Sequence, residues 1–326
     1  MPALGKGGGG DGCTLYFDKI PMAIKKLTEK KLTWINIDRV NNESLKFLKN
    51  NYSFHHLDLE DIQSESQTPK IDTYKNYLFV VLQFPIWQNS TKRVISYELD
   101  MFIGENYVIT IQHGNGKEIK NLFFKCLKNK TQKKEWMGKD SGYLLYNIIE
   151  ALFQNSRPIL NNIGKNINIV ENDIFEKTPN GSIVRELGIH RRNALSFKSI
   201  IDPQRYLISN LSHIRKPFLG EDLTIYFDDI NDYLIKLWSI VTSFKDTIDG
   251  LHVTLESLLT RKTNKVISTL TVLSASLLPL TLLAGIYGMN IPLPFSDNPK
   301  LVWIMFGGVL AIILLTIAIM KNKRWL

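Results

Sequence analysis

Residues 266–287, VISTLTVLSASLLPLTLLAGIY, carry no charged side chain over about 22 residues. That length matches the ~20 apolar residues with which an α-helix crosses a bilayer. Residues 301–320, LVWIMFGGVLAIILLTIAIM, repeat the pattern after a short segment that contains Pro292 and Pro294. A buried helix of a soluble protein rarely stays free of charge for so long and seldom comes as an adjacent pair. The two segments therefore predict a C-terminal transmembrane hairpin.

Basic residues flank both predicted spans on the side away from their connection. These residues are Arg261, Lys262 and Lys265 before the first span and Lys321, Lys323 and Arg324 after the second. Cytoplasmic flanks are enriched in lysine and arginine, so both termini are expected in the cytoplasm of a cell (inner or plasma) membrane, with the short loop outside. One hairpin cannot enclose a pore, so a transport function would require an oligomer.

Composition limits the function classes. The chain has 326 residues, 44% of them apolar, which is enough for a sizeable core, and its net charge of +9 would suit nucleic acid, acidic lipid or another anionic partner. Two cysteines, Cys13 and Cys126, cannot form the disulfide framework of a secreted domain. The six histidines follow no recognised catalytic or metal-ligand spacing, which argues against an enzyme.

The soluble part changes character along its length. Strand-like runs begin near Leu32, Tyr77 and Glu98, whereas helical periodicity prevails from Tyr143 onward. Pro203 and Pro217 are interpreted as interruptions of those later helices. The expected divisions are a flexible leader (1–13), an α/β cytoplasmic domain (14–138), a helical hairpin region (139–221), a stalk helix continuing into the first span (222–287, span 266–287), an outer loop (288–300), the second span (301–320) and a basic cytoplasmic tail (321–326).

Two side-chain stripes follow one another along the helix predicted for 222–287. The first is apolar with three- and four-residue steps and predicts helix packing: Ile230, Leu234, Leu237, Val241, Phe244, Ile248, Leu251, Leu255 and Leu258. The second, on a different face, is rich in small and polar residues: Asn264, Ile267, Thr271, Ser274, Leu278, Thr281, Gly285 and Gly288. Its spacing alone fits a pore lining and tight helix–helix packing in lipid equally, because both favour Ser, Thr and Gly.

The first span ends in Tyr287-Gly288-Met289-Asn290, within PLTLLAGIYGMN. Followed by a short loop, a second span and a basic tail, this string resembles the signature of the CorA family of magnesium and divalent-metal transporters. The resemblance extends to the soluble part: HHLDLEDI from His55, TPKIDTYKNYLFVVL from Thr68, ISYELDMFIGENYVITI from Ile95 and DSGYLLYNIIEAL from Asp140.

The resemblance implies a funnel-shaped homopentamer, in contact with membrane lipids, whose first spans line a pore for Mg²⁺, with Co²⁺ or Ni²⁺ as secondary ions. It implies no organic cofactor and no nucleic-acid partner. Gly288, Met289 and Asn290 match the selectivity filter, and Lys321, Lys323 and Arg324 match a basic ring at the cytoplasmic pore mouth. The matched pore-lining positions are Asn264, Ile267, Leu270 or Thr271, Ser274, Leu278 and Thr281.

The residue type at Asn290 suits a hydrated ion. Mg²⁺ sheds water reluctantly, so a ring of amide carbonyls would accept hydrogen bonds from its hydration shell. Conduction also requires weak binding, which a neutral amide allows. The alternative role for Asn290 is that of a residue ending a helix, since asparagine tolerates such backbone geometry.

Regulation is where the chain departs from the family pattern. The resemblance matches Asp229, with Asp228 and Asp232 nearby, to an acidic position where Mg²⁺ acts as a regulator between cytoplasmic domains. The acidic partners expected before the strand at Tyr77 are replaced by Lys75 and Asn76. Favourable charge at a helix N-terminus is the alternative role of the three aspartates.

Two other functions stay open. The first is a zinc transporter of the same fold, with or without proton coupling; Met289 favours magnesium, since zinc-transporting relatives often vary that position. The second is a membrane-tethered scaffold or nucleic-acid binder, suggested by the charge of +9. Its supporting basic run is explained equally by a solvated loop: Lys128, Lys130, Lys133 and Lys134.

Overall fold

The structure is a computed structural model that describes residues 24–64, 68–113, 117–177, 180–219, 223–289 and 299–322. The chain divides into two compact units, one formed by Met1–Asn168 with Ile189–Asp246 and the other by Ile169–Gly188 with Thr247–Leu326. The predicted leader 1–13 lies outside the described residues.

The first unit contains a six-stranded mixed sheet. Its strands are β1 (Ile24–Glu29), β2 (Leu32–Ile37), β3 (Lys70–Thr73), β4 (Tyr77–Gln88), β5 (Arg93–Gly104) and β6 (Tyr107–Gln112), in the spatial order β1-β2-β6-β5-β4-β3. The β2–β6 pair is parallel and every other pair is antiparallel. The strands predicted at Leu32, Tyr77 and Glu98 are thus parts of β2, β4 and β5. The α/β prediction is confirmed for this unit.

Helices cover both faces of the sheet. On one face lie α1 (Asn42–Asn51) and α2 (His56–Asp61), whose Leu48 and Leu59 join a core with Val81 and Phe102. On the other face lie α3 (Glu118–Lys128), α4 (Lys130–Met137) and α5 (Ser141–Gln154). Aromatic contacts attach these helices to the sheet: Trp34–Phe123 at 5.1 Å and Phe84–Phe153 at 4.6 Å between ring centroids. Because both faces are covered, the central strands are apolar almost throughout.

Four further helices complete the described chain. They are α6 (Arg157–Glu176), α7 (Gly181–His213), α8 (Thr224–Tyr287) and α9 (Pro299–Asn322), with a 3₁₀ turn at Pro217–Leu219 before α8. The expectation that Pro203 interrupts a helix is wrong, since α7 continues through it. A proline removes one backbone hydrogen-bond donor from a helix. The neighbouring residues Ile200, Ile201 and Gln204 are buried, and their packing stabilises the helix around Pro203.

The apolar stripe of α8 is buried as predicted. Its fully buried members are Ile230, Leu234, Leu237, Val241, Ile248, Leu251 and Leu255, whereas Phe244 and Leu258 are half-buried. Gly164 of α6 contributes to this packing, because a Cβ there would meet the ring of Phe244. The stripe is therefore a packing surface.

Cys126 offers a chemical test of the fold. Its thiol is fully buried in α3, and burial raises its pKa to about 12. The thiolate is the reactive form, so in a Cys13→Ser background Cys126 is expected to resist a thiol-specific reagent at pH 8 until denaturant is added. Mass spectrometry of the labelled protein measures this. Complete labelling without denaturant would contradict the buried position of α3.

Candidate ion path and metal-ligating residues

The helix α8 ends at the motif that the sequence singles out. It continues without interruption through Pro279 to Tyr287, and the Gly288 N–H donates a hydrogen bond to the Ala284 carbonyl at 2.9 Å. Met289 N–H donates to the Ile286 carbonyl at 3.2 Å. A Cβ on Gly288 would lie 3.1 Å from the Ala284 carbonyl oxygen, so glycine lets the chain turn tightly over the helix end. Asn290 lies outside the described residues.

The helix α9 contacts the same end of α8. The Tyr287 hydroxyl lies 3.6 Å from Met305 Sδ, and the Tyr287 and Phe306 rings are 6.4 Å apart. Together, α8 and α9 are the two described helices long and apolar enough to cross a membrane. Tyr287 and Gly288 are thus held where the first of these helices meets the second.

The predicted pore-lining residues all belong to exposed positions of α8 in the single chain. Leu278 is 68% exposed, Leu270 62% and Ile267 55%. Asn264, Thr271, Ser274 and Thr281 are also exposed. Much of this helix segment is exposed, so exposure by itself does not distinguish the polar stripe from the lipid-facing side. A single chain does not enclose these residues in a cavity.

The hydroxyl groups of the stripe have a defined orientation. Thr271 Oγ1 donates to the Ile267 carbonyl at 2.8 Å, and Thr281 Oγ1 donates to the Leu277 carbonyl at 2.9 Å. A hydroxyl has one proton and two lone pairs. Because the proton of each group is committed to its own helix, each oxygen presents lone pairs outward as a hydrogen-bond acceptor.

The predicted regulatory aspartates lie near the start of α8 and are exposed. Asp229 and Asp232 line an open cleft of about 260 Å³ together with Glu150, Gln154 and Lys236, whereas Asp228 does not line it. Among the described residues, these three aspartates do not form a cluster close enough to hold one ion. Of the predicted basic ring, Lys321 belongs to the last turn of α9. Lys323 and Arg324 lie outside the described residues.

Two carboxylate clusters in the sheet unit were missed by the sequence analysis. The first is formed by Glu98, Asp100 and His113, and the second by Asp58, Asp61 and Asp72; within each, the potential ligand atoms lie within 4.8 Å of one another. The Glu98-x-Asp100 spacing on a predicted strand was a signal that both side chains share one face. The approach of His113 required the pairing of β5 with β6.

The second cluster already contains a cation from the chain itself. Lys70 Nζ lies 2.6 Å from Asp61 and 2.8 Å from Asp72. Burial lowers the pKa of Lys70, but hydrogen bonds to Asp61 and Asp72 outweigh this and raise it above its usual range. Burial raises the pKa of Asp58, while hydrogen bonds from the Tyr77 and Tyr74 hydroxyls act in the opposite direction. The second cluster is thus a structural network.

The first cluster differs in its charge balance. Asp100 is fully buried and lies 2.6 Å from His113 Nε2, and burial raises the pKa of its carboxyl group despite that contact. Glu98 is 6% exposed, and its Oε1 lies 3.9 Å from the same nitrogen. One imidazole therefore faces two buried carboxyl groups.

Comparison with known proteins identifies the family. The CorA-like Mg²⁺ transporter protein family matches residues 29–323. The Cobalt/magnesium transport protein CorA of Thermotoga maritima is 29% identical over 302 residues, covering 90% of this chain and 83% of that protein. The Zinc transport protein ZntB of Yersinia pseudotuberculosis is 20% identical over 296 residues, covering 90% of this chain and 88% of that protein.

A solved structure supports the same assignment of fold. The CorA magnesium transporter from Methanocaldococcus jannaschii superimposes with a TM-score of 0.76 at 19% identity, covering 92% of each chain. That structure is similar along the whole succession of sheet, long helix and apolar C-terminal helices. This chain therefore belongs to the CorA-like Mg²⁺ transporter family and is a divalent-metal transporter with two membrane-spanning helices.

Proposed function

We propose that the chain forms a homopentameric channel that carries Mg²⁺ into the cytoplasm, with Co²⁺ and Ni²⁺ as secondary ions. The observation that carries the proposal is the continuous α8 helix, whose small and polar stripe leads to Gly288 at the turn of the Gly288-Met289-Asn290 motif. The family description names Mg²⁺, and the Thermotoga relative's name includes cobalt and magnesium. An oligomer supplies the enclosure that one exposed α8 lacks.

The stripe suits an ion that keeps its water. Hydrated Mg²⁺ presents water protons, so it needs acceptors rather than direct ligands. Thr281 and Thr271 meet this need because their protons are committed to helix carbonyls. Asn290, one turn beyond the helix end in sequence, would add amide carbonyls at the outer mouth, with Gly288 and Met289 shaping the turn.

Large apolar residues of the stripe would form the gate. Leu278, Leu270 and Ile267 are large and exposed on the single chain. Rings of such side chains around a narrow axis close a pore by excluding water. Of the remaining pore-lining positions, Asn264 would precede this constriction and Ser274 would lie between Leu270 and Leu278.

The membrane potential is the proposed driving force. The basic flanks, including the proposed ring of Lys321, Lys323 and Arg324, favour a cytoplasmic location of both termini. A dication moving inward across 100 mV gains about 4.6 kcal/mol, twice the single-charge value. Regulation by cytoplasmic Mg²⁺ at Asp229 and Asp232 would use the cleft that also contains Glu150, with Asp228 adding charge nearby.

A zinc transporter is the second candidate function. The specific observation is the ZntB relative, which matches 90% of this chain. It differs from the first candidate in the transported ion and, in its proton-coupled form, in its dependence on a proton gradient.

Uptake into proteoliposomes tests both candidates. The full chain is reconstituted in liposomes with an imposed inside-negative potential, and entry of Mg²⁺ and Zn²⁺ is followed with internal fluorescent indicators. Mg²⁺ entry that rises with the potential and persists without a pH gradient is expected. Entry of Zn²⁺ alone, dependent on a proton gradient, would replace the proposal with the zinc transporter.

A further inference from the structure

The cluster of Glu98, Asp100 and His113 is built by the register of β5 and β6. Residues two apart on a strand share one face, so Glu98 and Asp100 both point to the side of the sheet that carries Val81 and Ile111. Leu99 pairs with Gln112, which places His113 opposite Glu98, and the His113 N–H donates to the Glu98 carbonyl at 3.4 Å. The three side chains are therefore positioned by the strand ladder.

Within the described residues, one carboxylate of the cluster, that of Asp100, has an incomplete set of hydrogen-bond donors. Asp100 is 0% exposed, and among the described residues none donates a hydrogen bond to its Oδ1. The same carboxylate has His113 as its ion-pair partner within the described part of the chain. A fully buried carboxylate oxygen without a donor is costly, and native proteins usually satisfy such an atom with a protein group, water or an ion.

The cluster of Asp58, Asp61 and Asp72 provides a comparison, because a cation of the chain itself pairs with its carboxylates. There, Lys70 lies between Asp61 and Asp72 and supplies the cation. Asp100 has a histidine in that place, a residue whose ring nitrogen can donate a hydrogen bond, take up a second proton or ligate a metal. The two clusters differ in this respect although both belong to the sheet unit.

We propose that Glu98, Asp100 and His113 bind one transition-metal dication of the Zn²⁺, Co²⁺ or Ni²⁺ class within the sheet unit. His113 Nε2 and one oxygen from each carboxylate are the three ligands, and water occupies the fourth position. Two ionised carboxylates and a neutral imidazole together carry a charge of −2, which a dication balances, so the ion would offset the repulsion between the buried carboxylates.

The distances are compatible with such an ion after a small movement. Two ligands bound tetrahedrally at ~2.0–2.2 Å lie roughly 3.4 Å apart. The present separations from His113 Nε2, 2.6 Å to Asp100 and 3.9 Å to Glu98, lie on either side of that value. The imidazole nitrogen selects against Mg²⁺, which takes oxygen ligands and retains its water.

The site has a route from solvent. The side chain of His113 is 17% exposed, whereas that of Asp100 is fully buried. His113 also lines an open cleft of about 490 Å³ between the β4–β5 hairpin and the start of α3. The ion can therefore reach the ligands without unfolding the sheet. The site lies on β5 and β6, so it goes beyond the proposed ion path along α8.

Metal binding to the purified full chain tests the proposal. Equilibrium dialysis against Zn²⁺ is compared for the unsubstituted chain, His113→Gln and His252→Gln, the last removing an exposed histidine of α8. His113→Gln is expected to raise the dissociation constant of one bound Zn²⁺ by at least about tenfold, the lower end of what loss of even an outer-shell partner causes. His252→Gln is expected to bind like the unsubstituted chain. Equal binding by all three proteins would overturn the proposal.

Two further measurements keep the test independent of folding and of transport. Zn²⁺ is expected to protect His113 of the unsubstituted chain from diethylpyrocarbonate, read by peptide mass spectrometry; equal modification with and without Zn²⁺ would overturn the site. Co²⁺ bound at the site is expected to show visible absorption that His113→Gln lacks and Asn290→Ala retains. Loss of the band in Asn290→Ala alone would assign it to the pore and overturn the assignment to the sheet.

Discussion

Proteoliposomes that contain Asn290→Ala are expected to lose potential-driven Mg²⁺ uptake, falling to the level of protein-free liposomes. The substitution removes the amide carbonyl that would accept hydrogen bonds from the hydration shell at the outer mouth, and a methyl group accepts none. In an oligomer the loss occurs in every subunit at once, so the whole ring disappears. Initial rates of Mg²⁺ entry at a fixed inside-negative potential measure the effect.

The control for this substitution is Asn322→Ala, which removes an exposed asparagine at the end of α9. It changes the same residue type away from the motif and is expected to leave uptake intact. Thermal unfolding in detergent should be alike for both variants. Undiminished uptake by Asn290→Ala would remove the filter role and leave Asn290 as a residue that ends the turn.

Replacing Gly142 by alanine is expected to lower the free energy of unfolding by about 1–3 kcal/mol, the usual penalty for inserting a methylene into a packed core. A Cβ on Gly142 would lie 3.0 Å from the Leu219 carbonyl carbon, and closer still to the Leu219 oxygen and to Leu223 Cδ1. The Leu219 carbonyl is backbone in the turn before α8, so relief of the clash requires a shift of main chain. Denaturant unfolding, followed by tryptophan fluorescence, measures the change.

Gly188→Ala provides the matched control. Gly188 is also a helical glycine, but a Cβ there has no heavy atom of the described chain within 4 Å. Alanine is favoured over glycine in a helix by roughly 0.5–1 kcal/mol, so this variant should be slightly more stable. The two substitutions thus have opposite expected signs. A stabilised Gly142→Ala would show that α5 does not approach the turn at Leu219.

The local sequence pattern was sufficient to predict several helices and strands. The charge-free runs 266–287 and 301–320 predicted the two helices long enough for a membrane, and alternating apolar segments predicted β2, β4 and β5. The three- and four-residue steps from Ile230 to Leu258 predicted the buried face of α8. These signals are local because helix and strand periodicity repeat within a few residues.

Other features depended on partners far away in the chain. Pro203 suggested an interruption, but α7 passes through it because its buried neighbours pack on both sides. Histidine spacing suggested no metal site, yet His113 meets Glu98 and Asp100. No periodicity specifies that β5 pairs with β6 at Leu99 and Gln112, since that register comes from the packing of the whole sheet.

Contiguous residues were sufficient to predict the two apolar helices, the long helix with its two stripes and the family, because apolar length, helical period and the Gly288-Met289-Asn290 string are all local features. The three-dimensional fold was needed to show which charged groups meet. Lys70 pairs with Asp61 and Asp72, whereas Asp100 and Glu98 converge on His113. The physical reason is that strand order and register bring together side chains from separate segments, and a buried charge depends on those neighbours rather than on its position in the chain.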